Sequence, residues 1–289
     1  MNQRDSSPLP PVTGLRGDYS RMASDWTVPQ DPRAYSSEEQ DIWRTLLRRQ
    51  SRLARQHACA QFLTGLAQLD IDERIPDFAR ASDVLARRTG WRVVGVPGLI
   101  PDDMFYAHLA NRRFPVTVWI RRRDELDYLV EPDLFHDFFG HVPLLADPVF
   151  ADYMQAYGQR GVEAGAANVH RLARLYWYSV EFGLFRSDAG LKVFGAGIIS
   201  SAKETLYAIG SPVPARIAFD ARRVMRTAYE IDKLQRTYFV LDDFRQLFEA
   251  TQVDFPSLYA ELAQQPEIPT GAVLPGERLI PLAGLRQAA

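Results

Sequence analysis

Apolar residues at Ile42, Leu46, Leu47, Leu53, Ala54, Cys59, Phe62 and Leu63 recur near helical spacing behind Ser36-Ser37-Glu38-Glu39, a run with the chemistry of a helix N-cap. One long helix or two short ones should follow. Pro76 breaks that pattern, a second helix is predicted over residues 78–88, and Gly90 ends it. Trp91-Arg92-Val93-Val94-Gly95-Val96 then reads as a strand stopped by Pro97-Gly98, and Val116-Thr117-Val118-Trp119-Ile120 as another. Further on, helical patterns cover residues 147–163, 169–185, 201–208, 214–229 and 257–262, with one more strand at Tyr238-Phe239-Val240-Leu241. The expected fold class is therefore mainly α with a few short β-strands, and not a regular βαβ alternation.

Residues 1–35 carry Pro8, Pro10, Pro11, Gly14, Gly17, Pro29 and Pro32, the composition of an arm lying on a domain. The simplest partition is that arm, one catalytic domain over residues 36–265, and a tail over residues 266–289. An apolar content of 46% excludes disorder as the dominant state. A net charge of −2, with no like-charge run longer than Arg121-Arg122-Arg123, argues against nucleic acid as a partner. Uncharged stretches fall short of the roughly 18 to 20 apolar residues of a membrane span, and the polar, proline-bearing start is unlike a signal peptide. A cytoplasmic protein acting on small molecules is the expectation. The single cysteine, Cys59, permits no intrachain disulfide.

Two imidazoles lie five positions apart in His136-Asp137-Phe138-Phe139-Gly140-His141. On an ideal helix five steps of about 100° leave side chains roughly 140° apart, so the pair needs a distortion to share one metal. Gly140, with Pro143 just beyond, supplies a place for it. Glu181 falls on an apolar stripe between Trp177 and Leu184, where a carboxylate requires a cation or a hydrogen-bonding partner. An arginine partner and a metal explain it about equally well by pattern alone. Taken together, His136, His141 and Glu181 form the donor set of non-haem Fe(II) oxygenases and of some zinc hydrolases. His57, His108 and His170 read as surface or packing residues. Gly195-Ala196-Gly197-Ile198-Ile199-Ser200 begins like a dinucleotide fingerprint but lacks the third glycine and the βαβ context, so a tight turn or close backbone approach explains it better.

Three blocks, residues 131–144 around His136-Asp137-Phe138-Phe139-Gly140-His141, residues 176–184 around Glu181, and Gly195-Ala196-Gly197-Ile198-Ile199-Ser200-Ser201, resemble the pterin-dependent aromatic amino acid hydroxylases. Within that family the chain is similar to the short bacterial members that hydroxylate phenylalanine at the para carbon. The resemblance implies Fe(II) held by His136, His141 and Glu181, a tetrahydropterin cofactor, and O₂ as co-substrate. It matches Arg121 to an arginine that pairs with the substrate carboxylate, Trp177, Phe182 and Pro132 to the surroundings of the substrate ring, and Glu131 to a glutamate between iron and pterin. Ser200 and Glu204 match residues that orient His136 and reach toward the substrate. Leu99, Phe105, Asp137 and Tyr176 match the pterin side, with Phe105 stacked on the cofactor ring. A pterin carbinolamine dehydratase and a dihydropteridine reductase are implied as functional partners that restore the cofactor.

Two departures stand out. Leu129-Val130 occupies the place of the Thr-Pro that precedes Glu-Pro-Asp in animal members, removing a threonine hydroxyl near the substrate. The animal regulatory domain and C-terminal coiled coil have no counterpart in this sequence, which leads to the expectation of a monomer without allosteric activation by substrate.

Overall fold

Ser36 accepts a hydrogen bond from the Glu39 N–H and the Glu39 carboxylate accepts one from the Ser36 N–H, a reciprocal cap that starts the first helix in the computed structural model, which describes residues 15–282 except residue 166. Helix α1 runs Ser37–His57 and α2 Ala60–Gln68. The chain is extended at Ala58 and Cys59, where the Cys59 N–H donates to the Val193 carbonyl, and this long-range bond divides the apolar stripe into two helices.

Helix α3 (Phe78–Arg88), capped by Asp77, leads into β1 (Arg92–Val96), α4 (Asp102–Ala110) and β2 (Arg113–Thr117). Strands β1 and β2 form a separate parallel pair, with Arg92 opposite Arg113. Strand β2 starts three residues before the predicted Val116. The turn that closes α4 sets the register, and Pro115, which discourages a strand reading, is tolerated because β2 has a neighbour on one side only.

Helix α5 (Pro148–Ala164), capped by Asp147, and α6 (Val169–Tyr176) follow. The helix predicted over residues 169–185 stops short: a π turn spans Trp177–Glu181, and the chain then forms β3 (Leu184–Ser187) and β4 (Gly190–Val193), an antiparallel hairpin. Short α7 (Ala196–Ile199) and α8 (Ala202–Gly210), capped by Ser201, come next. The helix predicted over residues 214–229 is replaced by β5 (Ala215–Ala218) and α9 (Ala221–Met225). Pairing of β5 with β6 (Thr237–Leu241) overrides the local helical spacing there, and the Asp220 cap restarts a helix after it. Helices α10 (Arg245–Ala250) and α11 (Phe255–Ala263) complete the order, and the second sheet reads β4-β3-β6-β5.

The core is strongly aromatic. Trp43 meets Phe135 edge-on at 5.4 Å, Phe135 stacks on Phe139 at 4.9 Å, and Phe62 contacts Phe139 edge-on at 5.7 Å. These contacts lock α1 and α2 against the segment that carries the two histidines of interest. Phe62→Ala is expected to destabilise the fold by about 3–5 kcal/mol, since it leaves a ring-sized void under that segment; the shift of the urea midpoint measures it.

From the arm, the Val28 N–H donates to the Gly95 carbonyl and the His108 ring bonds the Asp25 carbonyl oxygen at 2.8 Å. From the tail, Ile268 pairs with Thr227, and Leu279 with Ile217. Pro8, Pro10, Pro11, Gly14 and residues 283–289 lie outside the described residues. Among the described residues no helix is long and apolar enough to cross a membrane.

Candidate metal centre

The distortion that the His136 and His141 spacing requires is a second π turn, Phe135–His141. Its wider i→i+5 closure brings side chains five positions apart back toward one another. Asp133 anchors the entry by accepting the His136 N–H at 3.0 Å, and the residues after the turn continue in a 3₁₀ segment, Val142–Ala146. Glu181 arrives at the end of the other π turn. The two Nε2 atoms stand 3.3 Å apart, with Glu181 Oε1 3.1 Å from His141 Nε2 and Oε2 3.5 Å from His136 Nε2. All three ligand atoms lie within 4.8 Å of one another.

The hydrogen bonds around this cluster fix a tautomer. Ser200, just beyond α7, gives its hydroxyl proton to the Ala196 carbonyl at 2.7 Å, so its oxygen must accept from His136 Nδ1–H at 2.9 Å. The proton of a neutral His136 is thereby held on Nδ1, and Nε2 offers a bare lone pair to the centre. Burial works against the Glu181 charge, but the two facing histidine rings, when protonated on both nitrogens, outweigh it and hold the carboxyl well below its usual range. Two imidazole nitrogens and a carboxylate converging on one point, with no other His, Cys, Asp or Glu in the group among the described residues, suit a divalent metal that keeps open positions. Ser200→Ala is expected to weaken metal binding about 10- to 100-fold, read by competition with a chelator, because the ring loses its orienting partner.

The other residues singled out by sequence fall into three groups. Tyr176 lies with its ring 6.1 Å from His141 and 5.5 Å from Phe105, and Asp137 turns away to accept the Thr117 N–H at 2.8 Å. Burial raises the Asp137 carboxyl, against the pull of His136. Leu99 is exposed on the turn after β1, and its carbonyl accepts the Tyr19 hydroxyl. Glu131 accepts the Arg16 backbone N–H, while its Oε1 is buried without a partner. Trp177 and Phe182 contact each other at 4.7 Å, and half-buried Pro132 lies between Glu131 and Asp133.

Arg121 and Glu204 make the contacts least visible from sequence. Arg121 is buried, and its Nε and Nη2 form a fork on the fully buried Asp133, both at 2.8 Å, so neither points free into a cleft. Burial favours a neutral Asp133, but the arginine outweighs it and holds the carboxyl below its ordinary value. Glu204 Oε1 accepts the Tyr238 hydroxyl at 2.5 Å and the Gln235 N–H at 3.2 Å, away from His136. Gln235 in turn accepts the Trp177 indole N–H at 2.9 Å, and Tyr229 stacks on Trp177 at 4.4 Å. Sequence reasoning missed Asp133, Gln235, Tyr229 and Tyr238. Only Asp133 carried a signal, as an acid just before the apolar Leu134 and Phe135 and twelve residues after an arginine.

The profile of the biopterin-dependent aromatic amino acid hydroxylases matches residues 17–258. The chain is 50% identical over 290 residues to a phenylalanine-4-hydroxylase of Chromobacterium violaceum, covering 99% of this chain and 97% of that protein. It is 52% identical over 272 residues to a phenylalanine-4-hydroxylase of Ralstonia nicotianae, covering 93% and 87%. A crystal structure of the C. violaceum phenylalanine hydroxylase with bound iron(III) and the oxidised cofactor 7,8-dihydrobiopterin superposes with a TM-score of 0.86 at 50% identity, covering 93% of this chain and 96% of that one. With two histidines and a glutamate converging in a fold shared over nearly its whole length, the chain belongs to the biopterin-dependent aromatic amino acid hydroxylases.

Proposed function

We propose that the protein is a non-haem Fe(II), tetrahydropterin-dependent monooxygenase that converts L-phenylalanine to L-tyrosine with O₂. The observation that carries this reading is the His136, His141 and Glu181 convergence with the His136 tautomer set by Ser200, and the similarity to bacterial phenylalanine-4-hydroxylases supplies the substrate. When bound, iron and the reduced pterin activate O₂, with one oxygen atom passing to the substrate ring and the other to the pterin.

The chain's own residues hold and orient the reactants. His136, His141 and Glu181 grip the metal on one face and leave the other open. Arg121 meets the amino acid carboxylate through the Nη1 edge that the Asp133 fork leaves without a protein acceptor among the described residues. Trp177 and Phe182, with Pro132, flank the aromatic ring, and Glu204 steadies that wall through Gln235. Phe105 offers a flat face to the pterin, beside Leu99, Tyr176 and Asp137, while Glu131 stands between pterin and metal. Bringing ring, cofactor and metal into one geometry is the main contribution of the protein to the rate. In this reading the enzyme is a cytoplasmic monomer, and a pterin carbinolamine dehydratase with a dihydropteridine reductase restores its cofactor.

The test is anaerobic loading with Fe(II), then phenylalanine, a tetrahydropterin and O₂, with chromatography of the products. Tyrosine should form in step with pterin oxidation. Pterin oxidation without tyrosine, or a meta-hydroxylated product, would refute the substrate and position. No pterin oxidation with iron loaded, or turnover with zinc alone, would refute the cofactor reading.

A further inference from the structure

The described part of the N-terminal arm does more than cover the domain. Its Tyr19–Arg21 turn, capped by Asp18, places Arg16, Gly17 and Tyr19 across the turn that follows β1. The Tyr19 hydroxyl donates to the Leu99 carbonyl at 2.9 Å. The Arg16 N–H donates to Glu131 Oε2 at 3.3 Å, and its guanidinium pairs with Glu125 while lying 5.3 Å from the centroid of the Trp119 ring. Trp119 Nε1–H closes the circuit by donating to the Pro97 carbonyl at 3.0 Å.

Steric fit is equally close. A Cβ at Gly17 would stand 1.8 Å from the Pro97 carbonyl oxygen, so only glycine lets the arm descend this far. A Cβ at Gly98 would meet both Glu131 Oε1 and the Tyr19 hydroxyl at 2.8 Å, so arm, turn and glutamate share one junction. Burial and the Glu131 charge push the Tyr19 phenol up to about 12, which keeps its proton available for Leu99 at neutral pH. Glu131 is left with one oxygen committed to the arm and the other buried without a protein partner.

We infer that Arg16, Gly17 and Tyr19 are positioning residues for the pterin site, fixing the Pro97-Gly98-Leu99 turn and the Glu131 carboxylate in the places from which they meet the cofactor. This rests on the reading that Leu99 and Glu131 border the pterin. Because the arm touches the pterin side and leaves the metal ligands and Arg121 to other elements, its loss should fall on one reactant. By linkage, a bound pterin must also hold the arm down.

The test uses the full-length, iron-loaded protein with 7,8-dihydrobiopterin as the calorimetric probe, under exclusion of O₂. Tyr19→Phe should weaken dihydrobiopterin binding about three- to tenfold, the effect of one lost hydrogen bond between the arm and the Leu99 carbonyl. Gly17→Ala should weaken it more. Iron content and phenylalanine affinity should stay at wild-type values, and less tyrosine should form per pterin oxidised. Saturating dihydrobiopterin should slow trypsin cleavage after Arg16, followed by mass spectrometry, and Tyr19→Phe should speed it. Wild-type dihydrobiopterin affinity in both variants, equal loss of phenylalanine and pterin affinity, or arm cleavage indifferent to dihydrobiopterin would overturn the inference. If wild-type protein itself failed to bind dihydrobiopterin, the pterin reading would fall first and the inference with it, an outcome distinct from failure of the arm alone.

Discussion

Glu181→Ala protein is expected to purify folded, to carry almost no iron after reconstitution, and to form no tyrosine above background. The carboxylate is the only anionic member of the converging group, and it faces both Nε2 atoms at 3.1 and 3.5 Å. Without it, a divalent ion keeps two neutral nitrogens and no charge compensation in a largely buried site. Glu181→Gln preserves the shape and removes the charge, so it separates the two contributions: if charge dominates, the glutamine variant loses iron as fully as the alanine one. Folding is read by circular dichroism and iron by elemental analysis. Near-normal iron with near-normal turnover in Glu181→Ala would refute the ligand assignment.

The second large effect concerns Arg121 and Asp133. From sequence, Arg121→Ala should mainly weaken phenylalanine binding. The structure adds a stability loss, because Asp133 is fully buried and the arginine fork is its chief compensation. Breaking a buried pair by removing one partner costs about 3–5 kcal/mol, through the charge left uncompensated. Arg121→Ala and Asp133→Ala should therefore each lower the denaturant midpoint by a similar, large amount. Asp133→Ala should also raise the KM for phenylalanine although it touches no substrate, since the guanidinium loses its fixed orientation and the His136 N–H its acceptor. A double replacement by apolar residues of similar volume should recover much of the stability and none of the substrate affinity. Wild-type stability in both single variants would show that the pair bears little of the fold.

Much of the metal site was legible in the chain because its chemistry is carried by rare residue types within short segments. Two histidines five apart, next to Gly140 and Pro143, could share a metal only if the helix distorted there, and a glutamate on an apolar stripe needed a cation or a hydrogen-bonding partner. The capped helices α1, α3 and α5 were legible too, since caps and helical periodicity are local properties. Whether Glu181 met a metal or an arginine was not settled by pattern, and the resemblance to a family supplied that answer together with the substrate and pterin residues.

What the sequence determined by itself was thus the mainly helical class and the principal capped helices, consequences of interactions within a few residues, together with a short set of candidate metal donors. Tertiary structure decided the rest. Strand β5 displaced a predicted helix because β6, some twenty residues on, offered a ladder, and β3 with β4 cut short another. The Arg121 fork on Asp133, the Trp177 bond to Gln235 58 residues away, and the seat of the arm on Pro97, Leu99 and Glu131 join positions that no local periodicity connects. Buried polar groups must find partners wherever the packed chain brings them, and that requirement is met only once the chain has folded.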